Sequence, residues 1–179
     1  MSYYDELQEI AHVDKHDTIL RSVEKWEAHK KGLLHRAITI AVFYNDYAIL
    51  QHRKHPVFDN VFDLSASSHQ LMKNGEIETD IATLQRTLER ELGLSQTDLT
   101  EEPVHDGTIY YKAQDPHSDF IEHEVCHIYT CRTMIPPKIN LDFAYGYSLQ
   151  KVQEIKNKKS PLYSILAPWV KEMIKKEII

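Results

Sequence analysis

The alternation of apolar and polar positions in the first third of the chain predicts a strand-rich start. Residues 7–13 are expected to form a strand, and the charged residues 14–17 a turn into a second extended segment at 18–21. Residues 37–44 are almost continuously apolar and rich in β-branched side chains, which is typical of a central strand covered on both faces. The polar pair at 45–46 then predicts a hairpin into a strand over 47–52.

Helical periodicity is clearest over residues 78–92, where four aliphatic side chains recur at intervals of three and four. Gly93 follows at once and is a natural C-cap, because glycine readily adopts the left-handed conformation that ends many helices. Two further strands are predicted near 107–112 and 122–133. Shorter helices are predicted over 22–29 with Ser22 as the N-cap, over 149–156, and over 161–175 with a break at Pro168.

Together these elements predict a single α/β domain over residues 1–179, of the α+β kind, with a mixed sheet sandwiched between helices. A chain of 179 residues falls in the usual size range of one domain and can bury a core without disulfides. The sequence has no internal repeat, low-complexity tract or Gly/Ser linker that would mark a second unit.

The charge balance argues against nucleic acid as a partner. The chain carries 21 Lys and Arg against 27 Asp and Glu, a net charge of −6, whereas nucleic-acid binders usually show a basic face. No apolar run approaches the ~18–20 residues of a membrane helix, and the start MSYYDELQEI does not resemble a secretory signal. We therefore expect a cytoplasmic protein without a membrane partner, as a monomer or homodimer.

Cys126 and Cys131 are five positions apart on a predicted strand, a separation of about 16 Å at the ~3.3 Å rise of a strand. That distance is too long for a disulfide, so free thiols in a reducing compartment are expected.

Eleven histidines, an unusual number, direct attention to metal ligands. On a strand, residues two apart share a face, so Glu122 and Glu124 project together while His123 points away. A cation between two carboxylates relieves their repulsion, and sets of imidazoles and carboxylates suit Mn²⁺, Fe²⁺ or Zn²⁺. The spacing alone is equally consistent with an edge strand that carries two solvated glutamates, together with histidines that are unrelated to them. The candidates are His29 and His35, His69, and Glu122 with Glu124.

The helix over 78–92 carries a second pattern, which resembles the end of a Nudix box, G-x5-E-x7-R-E-U-x-E-E-x-G-U, where U is a bulky aliphatic residue. Glu78 matches the first glutamate, Arg86 the arginine, and residues 91–94 the final portion. Thr87 and Arg90 stand where the family has glutamates that hold magnesium. The resemblance therefore implies the Nudix fold but disfavours ordinary pyrophosphohydrolysis.

Over residues 14–169 the chain resembles the type I isopentenyl-diphosphate isomerases, a branch of the Nudix fold. The similarity rests on motifs in the same order and at similar separations: EKWEAH at 24–29, LHRA at 34–37, SSH at 67–69, ELG at 91–93, DP at 115–116, EHEVC at 122–126 and APW at 167–169. The resemblance implies isomerisation of isopentenyl diphosphate and dimethylallyl diphosphate.

The resemblance also implies two metal sites and a diphosphate site. It assigns one divalent ion, Mn²⁺ or Zn²⁺, to His29, His35, His69, Glu122 and Glu124. Glu91 is implied to hold a Mg²⁺ that bridges to the diphosphate of a prenyl substrate. Lys25 and Arg53 are implied to contact the same diphosphate, and Lys54 is the nearest candidate for a further lysine of the family.

In that family a proton adds to the alkene to give a tertiary carbocation, and another leaves from the opposite face, so two acid/base groups flank the substrate. Glu124 matches the metal-bound glutamate, Tyr111 the tyrosine that hydrogen-bonds it, and Trp169 the ring that stabilises the cation. Ser67 occupies the position of the catalytic cysteine. A hydroxyl is a far weaker acid than a thiol of pKa ~8.5, so slow or altered turnover is expected.

Two other functions stay open: a Nudix-type diphosphate hydrolase and a non-catalytic prenyl-diphosphate binding protein. Cys126 shares the strand face of the two glutamates and is a candidate replacement for the thiol, although the role of a small buried apolar group is favoured. His52, His55 and His127 are interpreted as ordinary polar residues.

Overall fold

A nine-stranded mixed sheet forms the centre of the computed structural model, which describes residues 3–179. Its first six strands are β1 (Glu9–Val13), β2 (Ile19–Glu24), β3 (His35–Tyr44), β4 (Tyr47–Arg53), β5 (Phe62–Leu64) and β6 (Ala66–Ser68). A separate hairpin of β7 (Met72–Lys73) and β8 (Glu76–Ile77) comes next in the chain. The sheet is completed by β9 (Val104–Gln114), β10 (Ile121–Thr133) and β11 (Ala144–Gln150). The helices are α1 (Lys25–Lys31), α2 (Asp80–Thr87), α3 (Val152–Lys156), α4 (Pro161–Ser164) and α5 (Pro168–Lys175).

Strand β3 is the structural centre of the sheet. It pairs in parallel with β10 and antiparallel with β1, β4 and β6, which confirms the predicted mixed sheet. Alternate side chains of β3 point to opposite faces. Ala37 and Ala41 enter an apolar core with α5, whereas Ile38, Ile40 and Val42 enter a second core with α2 and the segment that follows it. Helices therefore cover both faces, as predicted.

The long helix predicted over 78–92 is present in two parts. α2 begins after Thr79, whose hydroxyl accepts a hydrogen bond from the backbone N–H of Ala82. The chain continues as a π-helical segment, Leu88–Leu92, and ends at Gly93 with φ of +60°, which confirms the predicted cap. A Cβ at Gly93 would meet the backbone oxygen of Lys138 at 3.0 Å, so the position also favours glycine sterically.

The helix predicted over 22–29 is wrong at its start. Residues 22–24 extend β2, in which Glu24 pairs with Glu9 of β1, and the helix begins only at Lys25. Glu24 is the N-cap, because its carboxylate accepts the backbone N–H groups of Trp26 and Glu27. Ser22 instead lies within the strand, where pairing with β1 outweighs its local preference for a cap.

The helix predicted over 149–156 also starts too early. Residues 149 and 150 close β11, a strand missed from the sequence, which pairs antiparallel with β4. The helix occupies only Val152–Lys156. At the C-terminus the predicted break is confirmed, since α4 ends at Ser164 and α5 starts at Pro168. Within residues 3–179, no helix is both long and apolar enough to cross a membrane.

Candidate active site and metal centre

Four elements bring the predicted metal ligands to one end of the sheet. His29 lies on α1, His35 opens β3, His69 follows β6, and Glu122 and Glu124 lie on β10. The parallel pairing of β3 with β10 places Glu124 directly opposite His35. Residues that are distant in the sequence thus become neighbours through strand register.

The ligand atoms of these five side chains all lie within 4.8 Å of one another. His29 Nε2 is 3.3 Å from Glu122 Oε2. Glu124 Oε1 lies 3.5 Å from His35 Nε2 and 3.2 Å from His69 Nε2. Four of the five side chains are buried and His69 is half-buried, so the cluster is an interior site and not a patch of surface charge.

Hydrogen bonds outside the cluster fix how the imidazoles point. His29 Nδ1 is 2.7 Å from the carbonyl oxygen of Lys25, and His35 Nδ1 is 2.8 Å from that of Leu33. Because a carbonyl only accepts, each Nδ1 carries the hydrogen and each Nε2 faces the cluster with a free lone pair when the ring is neutral. This is the orientation that metal-binding histidines adopt.

The chemistry of the donor set fits a divalent cation. His29 Nε2, His35 Nε2 and Glu122 Oε2 are buried without a hydrogen-bond partner, an arrangement that costs about 1–3 kcal/mol for each group unless another partner satisfies it. Burial alone would lower the pKa of His29, but the adjacent Glu122 carboxylate outweighs burial and raises it. The pKa of His69 is held well below its usual value, first by burial and then by the neighbouring histidines, which favours a neutral ligand. The carboxylates thus attract positive charge to the cluster.

Tyr111 and Glu124 form the predicted hydrogen bond. They are cross-strand partners on β9 and β10, and the Tyr111 hydroxyl donates to Glu124 Oε2 over 2.6 Å. Burial would raise the pKa of Glu124, but the adjacent His35 imidazole, 3.5 Å away, and the hydrogen bond from Tyr111 are among the contacts that outweigh burial and lower it. Burial and the nearby carboxylate raise the pKa of Tyr111 well above its usual value, so it remains a donor.

A pocket opens beside Glu124 and carries the predicted diphosphate cations on its wall. Lys25 and Arg53 both line it, and both are more than nine-tenths buried. Lys25 Nζ donates to Gln8 Oε1 over 2.8 Å, and burial is the main reason that its pKa falls to about 8. Lys54 points elsewhere, since its ammonium donates to the carbonyl of Leu141.

Arg90 is a pocket residue that the sequence interpretation did not assign to the site. Its guanidinium forms an ion pair with Glu91 Oε1 and donates to the hydroxyl of Tyr3 over 2.6 Å. Gln51 donates to the other Glu91 oxygen over 3.1 Å. Arg90 could have been recognised from its position, because it stands where the Nudix pattern has a glutamate. Glu91 thus lines the pocket, but a cation bound at Oε1 would have to share that oxygen with Arg90 or displace it.

Trp169 lines the same pocket, as expected of a ring that contacts substrate. It is 2% exposed, and its Nε1 donates to Asp63 Oδ1 over 2.6 Å. The Arg53 guanidinium lies over the ring, 5.1 Å from its centroid, and Phe58 packs against it edge-on. The indole is therefore held on three sides in one orientation.

Ser67 reaches the pocket from β6. Its Oγ is 2.8 Å from Thr39 Oγ1 on the neighbouring strand β3. Cys126 Sγ lies 3.4 Å from the same threonine oxygen, within the apolar core, and burial raises the pKa of this thiol well above its usual value. Cys126 and Cys131 are free, as predicted. Cys126 accordingly has the surroundings of a small buried apolar group.

The remaining histidines mostly follow their predicted roles. His123 points away from the cluster, toward the carbonyl of Gly32 and the hydroxyl of Tyr110. His127 pairs with Asp17. His55 differs from the expectation because it lines the pocket, and its pKa is well below the usual value owing to burial and Arg53. No local signal distinguished it from the other histidines.

Curated proteins similar to this chain share one activity in their names. An isopentenyl-diphosphate Delta-isomerase of Pectobacterium atrosepticum is 34% identical over 152 residues, covering 83% of this chain and 79% of that protein. Isopentenyl-diphosphate Delta-isomerase 1 of Mus musculus is also 34% identical, over 179 residues that cover 89% of this chain and 77% of that protein. No family model matches the chain.

Solved structures show the same fold at low sequence identity. The DR0079 protein of Deinococcus radiodurans aligns with a TM-score of 0.69 at 13% identity, covering 94% of this chain and 98% of that chain. A MutT NUDIX hydrolase of Burkholderia pseudomallei aligns with a TM-score of 0.57 at 14% identity, covering 79% and 96% of the two chains. The predicted mixed sheet between helices is thus the Nudix architecture.

Proposed function

The chain belongs to the isopentenyl-diphosphate Delta-isomerase family of Nudix-fold enzymes, and from that membership we propose that it interconverts isopentenyl diphosphate and dimethylallyl diphosphate. The observation that carries the proposal is one pocket that is lined by Glu124 with its hydrogen bond from Tyr111, by the fixed ring of Trp169 and by the buried cations Lys25 and Arg53. A carboxylate beside an aromatic face suits proton transfer through a carbocation better than it suits attack on phosphorus.

The His/Glu cluster is proposed to hold one divalent ion, Mn²⁺ or Zn²⁺. Three imidazoles and two carboxylates supply the nitrogen and oxygen ligands that such ions accept. When bound, the ion would neutralise the paired carboxylates and set the acidity of Glu124. A Mg²⁺ is also proposed at Glu91, where it would share Oε1 with Arg90 or displace it, since magnesium in proteins is commonly bound by one or two carboxylates together with substrate phosphates.

Each of these pocket residues has a separate role in the proposed reaction. Lys25 and Arg53, two buried cations in the pocket lining, bind the diphosphate. Glu124 exchanges a proton with one face of the alkene, and Tyr111 keeps this carboxylate oriented. Trp169 stabilises the positive charge that develops on the tertiary carbon. Ser67 lines the pocket at the position of the second acid/base group.

Diphosphate hydrolysis is the less favoured alternative. The Nudix-box glutamate Glu78 is engaged by Arg86, whose guanidinium donates to both of its carboxylate oxygens, at 3.0 and 2.7 Å. Arg90 replaces a further magnesium-binding glutamate and neutralises Glu91. With Glu78 paired and two further box positions occupied by Thr87 and Arg90, Glu91 is the one box carboxylate left for a metal, which suits a single Mg²⁺ and not the several magnesium ions that hydrolysis requires.

A proton-exchange experiment tests the proposal. The protein is incubated with isopentenyl diphosphate and Mg²⁺ in heavy water, and the alkene is followed by NMR. We expect deuterium in dimethylallyl diphosphate without release of phosphate. Inorganic phosphate or pyrophosphate would instead identify a hydrolase, and bound but unchanged substrate would identify a binding protein.

Replacing Ser67 with cysteine is expected to raise isomerase turnover by about tenfold. A thiol of ordinary pKa ~8.5 gives up a proton far more readily than a hydroxyl, and the substitution replaces only the Oγ atom by sulfur. The rate of product formation under saturating substrate measures the effect. The neighbouring Ser68→Cys serves as a control for adding a thiol near the site, and an equal or lower rate in Ser67→Cys would contradict the assigned role.

A further inference from the structure

Arg90 is a cation of the pocket that the reaction described above does not use. Its side chain is 14% exposed and lines the same cavity as Lys25 and Arg53. Its Nη1 donates to the Tyr3 hydroxyl and its Nη2 to Glu91 Oε1, while its Nε is buried without a hydrogen-bond partner. A guanidinium has five N–H donors, and a buried donor without an acceptor is unfavourable. The arrangement therefore favours a further acceptor at this wall of the pocket.

Two aromatic rings hold the guanidinium at the pocket wall. The Cζ atom of Arg90 lies 4.4 Å from the centroid of the Tyr3 ring and 5.1 Å from that of Phe143. The two rings also contact each other edge-on, with their centroids 5.2 Å apart. A planar, weakly hydrated guanidinium packs well on aromatic faces. Arg90 therefore has supports that do not depend on its carboxylate partner.

Lys25 approaches the same tyrosine ring as Arg90. Its Nζ lies 5.2 Å from the Tyr3 centroid and donates to the amide oxygen of Gln8, a neutral group. After burial, repulsion from Arg90 is the next cause of the lowered pKa of Lys25. Two cations beside one ring repel each other, and an anion that reaches both relieves the repulsion. A diphosphate suits this arrangement, because its two phosphoryl groups spread negative charge over several oxygens.

The ion pair of Arg90 with Glu91 bears directly on how an anion enters the pocket. A bare carboxylate there would repel a diphosphate, since like charges interact strongly where water is excluded. Arg90 neutralises this carboxylate, and Gln51 donates to its other oxygen. A magnesium ion at Glu91 would offset the same negative charge. The guanidinium is always present in the pocket, whereas the metal is present only when bound.

We propose that Arg90 is a third diphosphate-binding residue beside Lys25 and Arg53, and that it allows the pocket to bind a diphosphate without magnesium. The inference rests on the proposed function for the kind of ligand and adds a residue that this function did not use. Without magnesium, the guanidinium bridges the Glu91 carboxylate and the phosphoryl oxygens. With magnesium, Arg90 contributes less, because the metal also offsets the charge of Glu91.

The test measures the dissociation constant of inorganic pyrophosphate by titration calorimetry for the wild type and for Arg90→Gln. Each protein is titrated without magnesium and with saturating Mg²⁺, and no chelator is added, so that an ion in the His/Glu cluster is not removed. Without magnesium, Arg90→Gln should bind at least about 30-fold more weakly, because it loses a cation and leaves Glu91 bare. With saturating Mg²⁺ the loss should stay below about fivefold.

Two further variants separate this role from a structural one. Arg90→Gln combined with Glu91→Gln removes the bare carboxylate, so it should recover about tenfold of the affinity lost without magnesium. Tyr3→Phe removes only the hydroxyl that accepts from Arg90, and it keeps the test open if Arg90→Gln does not fold. It should weaken binding by about threefold without magnesium and leave binding unchanged with Mg²⁺.

Arg132→Gln is the matched control. Its guanidinium also lies over an aromatic ring, 5.4 Å from the centroid of Phe43, and also faces a carboxylate, with Nε 3.9 Å from Glu101. Arg132 is exposed on β10 and does not line the pocket. The affinity for pyrophosphate should therefore equal that of the wild type in both buffers.

The magnesium dependence decides the outcome. Equal losses for Arg90→Gln in the two buffers would overturn the proposal, because a merely structural arginine would matter with and without the metal. Undiminished affinity of Arg90→Gln, or a wild type that binds pyrophosphate only with Mg²⁺, would overturn it as well. The proposed function fails separately: a wild type that binds pyrophosphate without magnesium but incorporates no deuterium into the alkene would refute isomerisation and leave the role of Arg90 standing.

Discussion

Replacing Glu124 with glutamine is expected to lower isomerase turnover by about 10²–10⁴-fold or more, the range that a positioned acid/base group contributes. The amide has the shape of the carboxyl group and can still contact Tyr111, but it neither accepts nor delivers the proton that the reaction moves. Deuterium incorporation into dimethylallyl diphosphate measures the loss directly.

Because Glu124 also belongs to the His/Glu cluster, the measurement needs two controls. The metal content of Glu124→Gln should be determined, so that lost proton transfer is separated from lost metal. Tyr111→Phe keeps the carboxylate and removes only its hydrogen bond, so its loss should be smaller, about tenfold. Full activity of Glu124→Gln would refute the mechanism.

Removal of the bound ion by a chelator is expected to abolish activity and to lower the melting temperature by about 10 °C. Two buried carboxylates then face each other with no cation between them, and an uncompensated buried charge costs about 3–5 kcal/mol. For a chain of this size each kcal/mol corresponds to about 2–4 °C. Metal analysis before and after chelation should find about one ion for each chain, and added Mn²⁺ or Zn²⁺ should restore both properties.

Histidine protonation determines how the fall in melting temperature on metal removal depends on pH. In the folded chain burial would lower the pKa of His29, but the Glu122 carboxylate outweighs burial and raises it. Protonation of His29 therefore stabilises the metal-free fold at low pH. That contribution is complete below the unfolded pKa of ~6.5 and disappears as the pH rises through the folded pKa. The difference in melting temperature between the metal-bound and metal-free proteins should therefore widen from pH 6 to pH 8.

Two histidine variants provide a matched comparison. His35→Ala removes a ligand inside the cluster, whereas His123→Ala removes a neighbour of the cluster that faces Gly32 and Tyr110. Only the first should lose metal and activity. A chelated protein that keeps its melting temperature, or equal effects of the two substitutions, would contradict the proposed site.

The sequence was sufficient to predict those features of the fold and of the site that depend on local periodicity or on shared motifs. The continuous apolar run of β3 indicated a doubly covered strand, and the spacing of Glu122 and Glu124 indicated a shared face, because both follow from the two-residue repeat of a strand. The start of α1 was wrong because Ser22 pairs with Ala11 of the preceding strand β1, which extends β2 up to the helix. Local preference for a cap does not report such pairing.

The parts of the site that were missed depend on three-dimensional proximity. Asp63 reads in the sequence as an ordinary polar residue, and only the docking of Trp169 from the last helix shows that it is buried. His55 likewise enters the pocket through the packing of loops. Arg90 differs from these two, since its departure from the Nudix pattern was visible, but its ion pair with Glu91 required the structure.

The parallel pairing of β3 with β10 also constrains the order in which the chain can fold. Thr39 and Cys126, which meet across this pair, are 87 residues apart in the sequence. Closing so long a loop is entropically unfavourable until both strands can pack, so contacts of this kind form slowly and late. The cluster of histidines and glutamates straddles the same pair of strands. Its ligands therefore converge only when β3 and β10 have paired, so binding of a metal ion by the whole cluster requires the assembled sheet.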